Sequence, residues 1–262
     1  MRRAVISVLA LFVLGIHASC KLRDVEMIKE RQERSAEASR SRERAFQQLL
    51  GEGKANLDAA MMLENRETDL MRTDTDSPEI RRVLESQRAI LYQARGCFEQ
   101  ALRTHPDSIL AHQGIALAAA KLGLYDEAIK HGLIVLESSE TRDFIYIVIR
   151  HCYWTKAGRS SGAEAVENLT KAIELMERFV HRLDPPLLHY EKNLQARLYL
   201  EKAEILEGRA RTLEYDKAIA LLKAHLAGYP NVSKDKNETV AKWGLEMGSM
   251  LAELKVKRQM AD

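Results

Sequence analysis

Residues 109 to 136 read ILAHQGIALAAAKLGLYDEAIKHGLIVL, and no other part of the chain restricts the fold as much. Apolar residues recur at helical spacing, the run Leu122-Gly123-Leu124-Tyr125 breaks the pattern, and a second helical pattern starts at Asp126. The direct reading is two antiparallel helices in one repeat unit. Parts of the pattern recur on either side. Ahead of it stand Ala94, Phe98, Ala101 and Pro106 in ARGCFEQALRTHPDS; near the C-terminus stand Tyr215, Ala218, Leu222 and Pro230 in EYDKAIALLKAHLAGYPN. Twelve residues separate Ala94 from Pro106 and Ala218 from Pro230. Each proline stops its helix, because it lacks an amide hydrogen and drives the residue before it out of the helical region.

Residues 109 to 136 resemble a tetratricopeptide repeat (TPR), whose pattern has small residues where the paired helices touch and a Gly-x-Tyr-x-x-Ala turn between them. Ala116, Gly123, Tyr125 and Ala128 occupy those places. Small side chains let helix backbones approach, glycine relieves the sharp turn, and the tyrosine ring fills the gap beside it. The flanking segments match the family's second helix and its terminating proline. The resemblance spans residues 45 to 230, closely in these stretches and loosely elsewhere. It implies an all-α fold in which antiparallel helix pairs stack as a TPR-like α-solenoid.

The looser stretches are still readable as helices. Phe144 to Lys156 reads as a first helix, with Tyr146, Ile149 and Tyr153 in the family's large-residue places and Gly158 to Gly162 as the turn. Ala163 to Leu183 then reads as an overlong second helix ended by Asp184-Pro185-Pro186. The helix before Glu214 keeps Ala203 and Leu206 but has a long turn from Gly208 to Glu214. At the start of the domain, a helix from Lys54 to Arg72 pairs with one that Ser77-Pro78-Glu79 caps and that runs to Arg103. Residues 234 to 257, with Val240, Trp243, Leu245, Met250 and Leu254, read as a final capping helix. Scarce glycine and proline and abundant Ala, Leu, Glu, Lys and Arg favour long helices over strands throughout.

The N-terminus has the parts of an export signal: Arg2 and Arg3, an apolar run from Ala4 to Ile16, then the small residues Ala18 and Ser19. The run falls short of the roughly twenty residues that a spanning helix needs. Ile16-His17-Ala18-Ser19-Cys20 resembles a bacterial lipobox, with His17 where that family has Leu. The resemblance implies cleavage after residue 19, lipidation of Cys20 and stable anchoring by more than one acyl chain. A plain cleaved signal and an uncleaved short anchor are the alternatives. Residues 20–44 are nearly all charged or small, with Glu26 and Glu30, Glu30 and Arg34, and Glu33 and Glu37 at one-turn spacing. Such a run forms a solvated helix or a flexible tether and has no apolar stripe to pack. The expected organisation is a signal at 1–19, a lipidated tether at 20–44 and a helical-repeat domain at 45–257.

The chemistry on offer is that of binding. A net charge of +2 gives no electrostatic case for nucleic acid. Cys97 and Cys152 fall on apolar helical segments as small hydrophobes, and a disulfide between them stays open in an oxidising compartment. His105, His112, His131, His151, His181, His189 and His225 are scattered singly, so no metal is expected and no cofactor is implied. G-x-S-x-G, H-E-x-x-H and a Gly-rich phosphate loop are absent from the sequence. His151 and Cys152 are adjacent, and neighbours on a helix point about 100 degrees apart, so they make no nucleophile and base dyad. The expectation is a protein that is not an enzyme.

Repeat proteins of this kind offer an extended concave face to partners. Here the inward residues are expected to be Leu110, Gln113, Leu117 and Lys121 on one first helix and Phe144, Ile147, His151 and Trp154 on the next. Aromatic and aliphatic anchors with scattered polar groups suit a peptide or an apolar patch of another protein. Packing of Phe144 and Trp154 between repeats is the alternative. One subgroup of the family grips C-terminal carboxylates through Lys and Asn where this chain has Gln113 and Leu117, so that clamp is not implied. The expected role is a scaffold of the bacterial cell envelope, anchored through Cys20, facing the periplasm from the outer membrane and binding a protein or peptide. An accessory lipoprotein of a solute-uptake system is the alternative.

Overall fold

The computed structural model describes residues 2–73, 78–138, 143–179 and 183–261, and the side chains of residues 2–26, 28, 72, 73, 143, 144 and 185 lie outside that description. The described residues form nine α-helices and no strand. They are α1 (Arg2–Thr73), α2 (Pro78–Thr104), α3 (Ile109–Leu122), α4 (Tyr125–Glu137), α5 (Asp143–Arg159), α6 (Gly162–Phe179), α7 (Pro185–Ile205), α8 (Gly208–Gly228) and α9 (Glu238–Met260). A 3-10 turn, Val232–Lys234, precedes α9.

The chain divides into two compact units, Met1–Gly51 and Glu52–Asp262. In the first, the charged stretch is helical rather than irregular, and every side chain from Lys29 to Ala45 is exposed. Neither glycine nor proline interrupts residues 21 to 50, and Arg34 pairs with Glu30 one turn away at 3.2 Å. An exposed pair of this kind contributes a few tenths of a kcal/mol at about one-turn spacing. Phe46 is buried.

In the second unit each helix from α2 to α9 packs on the next in sequence, and α3 with α5 and α7 with α9 also meet. The pairing of α3 with α4 follows from the turn between them. Gly123 takes the left-handed conformation at φ 77°, where its N–H reaches Ala120 O at 3.1 Å and the Leu124 N–H reaches Ala119 O at 2.9 Å. Two carbonyls that the helix end would orphan are thereby satisfied. Ser108 caps the other end of α3 through the Ala111 N–H, and Pro106 lies just past the end of α2.

Small residues set the spacing of the layers. Ala94, Ala101, Ala116, Ala128 and Ala218 have no solvent-accessible surface, as their places in the pattern require. Phe98 of α2 lies between two glycines: a Cβ on Gly53 of α1 would stand 2.7 Å from the ring, and one on Gly114 of α3 only 2.4 Å. Gly132 of α4 likewise leaves room for Ile149 of α5, whose Cγ1 would lie 2.6 Å from an added Cβ. Larger residues fill what remains, with Tyr146, Ile115, Ile145, Leu169, Met176 and Leu198 almost wholly buried. Cys97 and Cys152 are free thiols, and burial pushes the Cys152 thiol up to about 12.

Three boundaries differ from the sequence reading. The first helix of the domain is the last part of α1, continuous with the charged segment, and Ser77 lies outside the described residues. Helix α6 ends its described run at Phe179, and Pro185-Pro186 open α7 instead of closing α6. The first turn of a helix needs no amide hydrogen and proline's fixed φ suits it, so the same dipeptide that cannot continue one helix starts another. The long turn expected from Gly208 to Glu214 is instead about the first two turns of α8, leaving Leu206 and Glu207 as the whole connection. Gly208 at φ 52° makes so short a link possible, and the Arg211 Nε–H donates to the Leu206 carbonyl at 2.7 Å.

Candidate functional site

Heptad-like spacing carries side chains along one face of each odd-numbered helix. On α5 this brings forward Ile147, His151 and Trp154; on α7, Tyr190, Asn193, Arg197, Glu201 and Glu204; on α9, Trp243, Glu246, Ser249, Met250, Glu253 and Lys257. Residues three, four and seven apart lie on one side of a helix, so each set forms a ridge. Between the ridges of α5, α7 and α9 lies a cavity of about 300 Å³, lined by Trp154, Tyr190, Asn193, Leu194, Arg197, Trp243 and Glu246. A second cavity, about 430 Å³, lies along α7 and α9 among Arg197, Leu200, Glu201, Glu204, Glu246, Ser249, Met250 and Glu253. Arg197 and Glu246 line both, so the two form one groove.

The aromatic end is held in place by polar ties. The Trp154 indole N–H donates to Glu201 Oε2 at 2.8 Å, joining α5 to α7. The His151 ring meets Trp154 edge-on at 6.3 Å between centroids, and Tyr190 leans on Trp243 at 5.4 Å. Asn193 Nδ2 donates to Glu246 Oε2 at 3.0 Å and Arg197 Nη2 to the same oxygen at 3.3 Å, joining α7 to α9. At the far end Lys257 spans Glu204 at 2.7 Å and Glu253 at 3.0 Å. Glu201 differs from its neighbours: no Lys or Arg among the described residues stands within ion-pair distance. Burial, with Glu204 nearby, holds its carboxyl above the usual range despite the Trp154 N–H and the more distant Arg197.

Between α5 and α7 is a charge pair with almost no contact with water. Arg150 of α5 and Glu191 of α7 are 3.2 Å apart, with side chains 4% and 0% exposed. Burial raises the Glu191 carboxyl, opposed by Arg150 and the Tyr146 hydroxyl. Taking both charges out of water is costly, and neither can lose its partner cheaply.

The sequence treats the histidines as isolated, yet four of them meet in two pairs. His112 of α3 and His131 of α4 share a hydrogen bond between their Nδ1 atoms at 2.7 Å. His112 Nε2 lies 3.0 Å from the Pro106 carbonyl, which can only accept. Neutral His112 therefore carries its proton on Nε2, and His131 donates from Nδ1. His189 of α7 and His225 of α8 pair at 2.8 Å, with the Tyr229 ring against both. Burial, then His189 and Lys192, pushes His225 down to about 4. The first pair ties the start of α3 to the middle of α4, and the second ties the start of α7 to the latter part of α8. No group of three potential metal ligands occurs among the described residues.

Of the residues expected from the sequence to bind a partner, Trp154 lines the groove and His151 touches it through the Trp154 ring. Ile147 is half-buried against the core. Gln113 and Leu117 are partly exposed on α3, and Leu110 is exposed. Lys121 is engaged by Glu64 of α1. The Phe144 side chain lies outside the described residues, and so does that of Cys20, which falls within α1. Among the described residues, no helix is long and apolar enough to cross a membrane. Sequence reasoning missed Tyr190, Asn193, Arg197, Glu201 and Glu246, and read Trp243 as part of a cap. The spacing from Tyr190 to Glu204 along α7 carried the signal, had the rule applied to the two helices before it been extended to a third.

No protein-family model matches the chain, and no curated protein matches it in sequence.

Proposed function

We propose that this protein is a membrane-anchored, TPR-like scaffold of the bacterial cell envelope that holds a segment of a partner protein in the groove between α5, α7 and α9. The observation that carries the reading is the groove itself: three large rings and a line of polar groups from three successive odd-numbered helices converge on one face. In a TPR-type stack those are the first helices of adjacent pairs, whose shared face is the usual binding surface. Large rings contribute contact area at low entropic cost, and buried aromatic anchors dominate most interfaces.

Trp154 tests the groove. Its ring is half-buried, so Trp154→Ala is expected to keep a melting midpoint within a few degrees of the parent while losing about 2 kcal/mol or more of partner affinity. A core aromatic would instead lose about 3 to 5 kcal/mol of stability. Thermal melts beside crosslinking in envelope preparations separate the two. If the variant melts early and binding declines only in step with unfolding, the groove is not the binding site.

Anchoring is proposed through Cys20, with the chain facing the periplasm. The support is the apolar run ending in Ala18-Ser19-Cys20 and the exposed, charged helix that follows. Cys20→Ala is expected to abolish lipid labelling and detergent-phase partitioning. A variant that still fractionates with membranes in high salt would show that something other than this cysteine holds it there.

A further inference from the structure

We infer that the segment held in the groove is cationic, presenting a lysine or arginine to the Trp154 and Glu201 side chains with an apolar neighbour seated on the Leu200 and Met250 floor. The inference rests on the groove being the docking surface. Its support is charge complementarity. Four carboxylates line the groove, Glu201, Glu204, Glu246 and Glu253, and two cations answer them. Arg197 is spent on Glu246 where the two cavities meet, and Lys257 on Glu204 and Glu253 at the far end, and both join α7 to α9. Glu201, in the stretch between, is left with an indole N–H as its hydrogen-bond donor. A guest cation would supply what the fold withholds, and an acidic guest would add charge to carboxylates already repelling one another.

The rings point to the same chemistry. Indole and phenol faces attract cations, tryptophan most strongly. The bond to Glu201 fixes the Trp154 ring before any guest arrives, so little conformational freedom remains to be lost. The wall beside the rings is apolar at Leu194, Leu200 and Met250, which suits the stem of a long basic side chain as well as its apolar neighbour. A phospholipid surface, rich in anionic groups, would meet the same carboxylates and be repelled.

Trp154 and Trp243 are the chain's only tryptophans, and both line the groove, so intrinsic fluorescence reports its occupancy directly. The experiment titrates the full chain, in detergent micelles, with three synthetic peptides of equal length and leucine content, free of aromatics. One carries Lys and Arg, one Asp and Glu, one Ser and Gln. The expected result is tightest binding of the basic peptide, at least about tenfold over the acidic one, weakening as salt is raised. Glu201→Gln preserves the shape and the acceptor for Trp154 and should weaken the basic peptide by about three- to tenfold while leaving the neutral one unchanged. Equal or tighter binding of the acidic or neutral peptide, still lost in Trp154→Ala, overturns the cationic preference and leaves the groove standing. An unchanged response of the basic peptide in Glu201→Gln overturns it too. Absence of binding by all three removes the docking surface and the inference together.

Discussion

Replacing Arg150 by methionine is expected to lower the free energy of unfolding by about 3 to 5 kcal/mol, because it leaves Glu191 buried with no opposite charge. The side chain of methionine fills much of the space, so the loss is electrostatic rather than a cavity. Two comparisons identify it as such. Arg150→Met combined with Glu191→Gln should recover most of the deficit, since a neutral amide in that place needs hydrogen bonds and not a counter-charge. The gap between single and double variants should also shrink as pH falls. The Glu191 carboxyl titrates above its unfolded value, so protonation favours the folded state and its cost appears as pH rises through that range. Denaturant titrations of the three proteins at two pH values measure both effects. Equal stability of the single variant and the parent at neutral pH would mean that the pair is hydrated in solution.

Phe98→Ala should cost a similar amount, about 3 to 5 kcal/mol, for a different reason. The ring stands where Gly53 and Gly114 leave space on two neighbouring helices, and removing it empties a slot that neither backbone can fill. For a domain of this size the melting midpoint falls by roughly 2 to 4 °C per kcal/mol. Gly114→Ala approaches the same contact from the opposite side: the methyl would lie 2.4 Å from the ring, so the gain in helix propensity is outweighed by overpacking. Phe98→Leu should partly relieve Gly114→Ala, a non-additivity expected only when two residues share one contact. Strict additivity in calorimetric melts would show that the ring and the glycine do not meet.

How far the sequence could be read depended on whether its signals were local. The turn at Gly123 is written in four consecutive residues, and the structure places α3 and α4 on either side of it. The buried alanines were legible for the same reason, since the repeat pattern these segments resemble places small residues there without knowledge of what they touch. Pro185 was ambiguous because proline excludes a helix interior and not a helix start, and only the partners of the preceding helix decide between them. The groove was half legible. Trp154 could be placed by its spacing from Ile147 and His151, whereas Glu201, Glu246 and Trp243 lie 47 to 92 residues away in sequence, and nothing local brings them to it. The histidine pairs were hidden similarly. Each pair joins two helices, and its signal is a separation of 19 or 36 residues with no pattern between.

In the second unit, helices from α2 onward meet chiefly the next helix or the next but one. Packing this local in sequence changes how the chain can be made. A contact between α3 and α4 closes a loop of a few residues, so the entropy lost before the first burial is rewarded is small. Chains with such contacts fold fast relative to those that must first bring distant strands together. The α3–α4 hairpin can therefore bury its alanines while α5 is still being synthesised, and Gly132 then offers a ready slot for Ile149 when α5 arrives. Assembly in order of emergence leaves little apolar surface waiting for a partner from the far end of the chain.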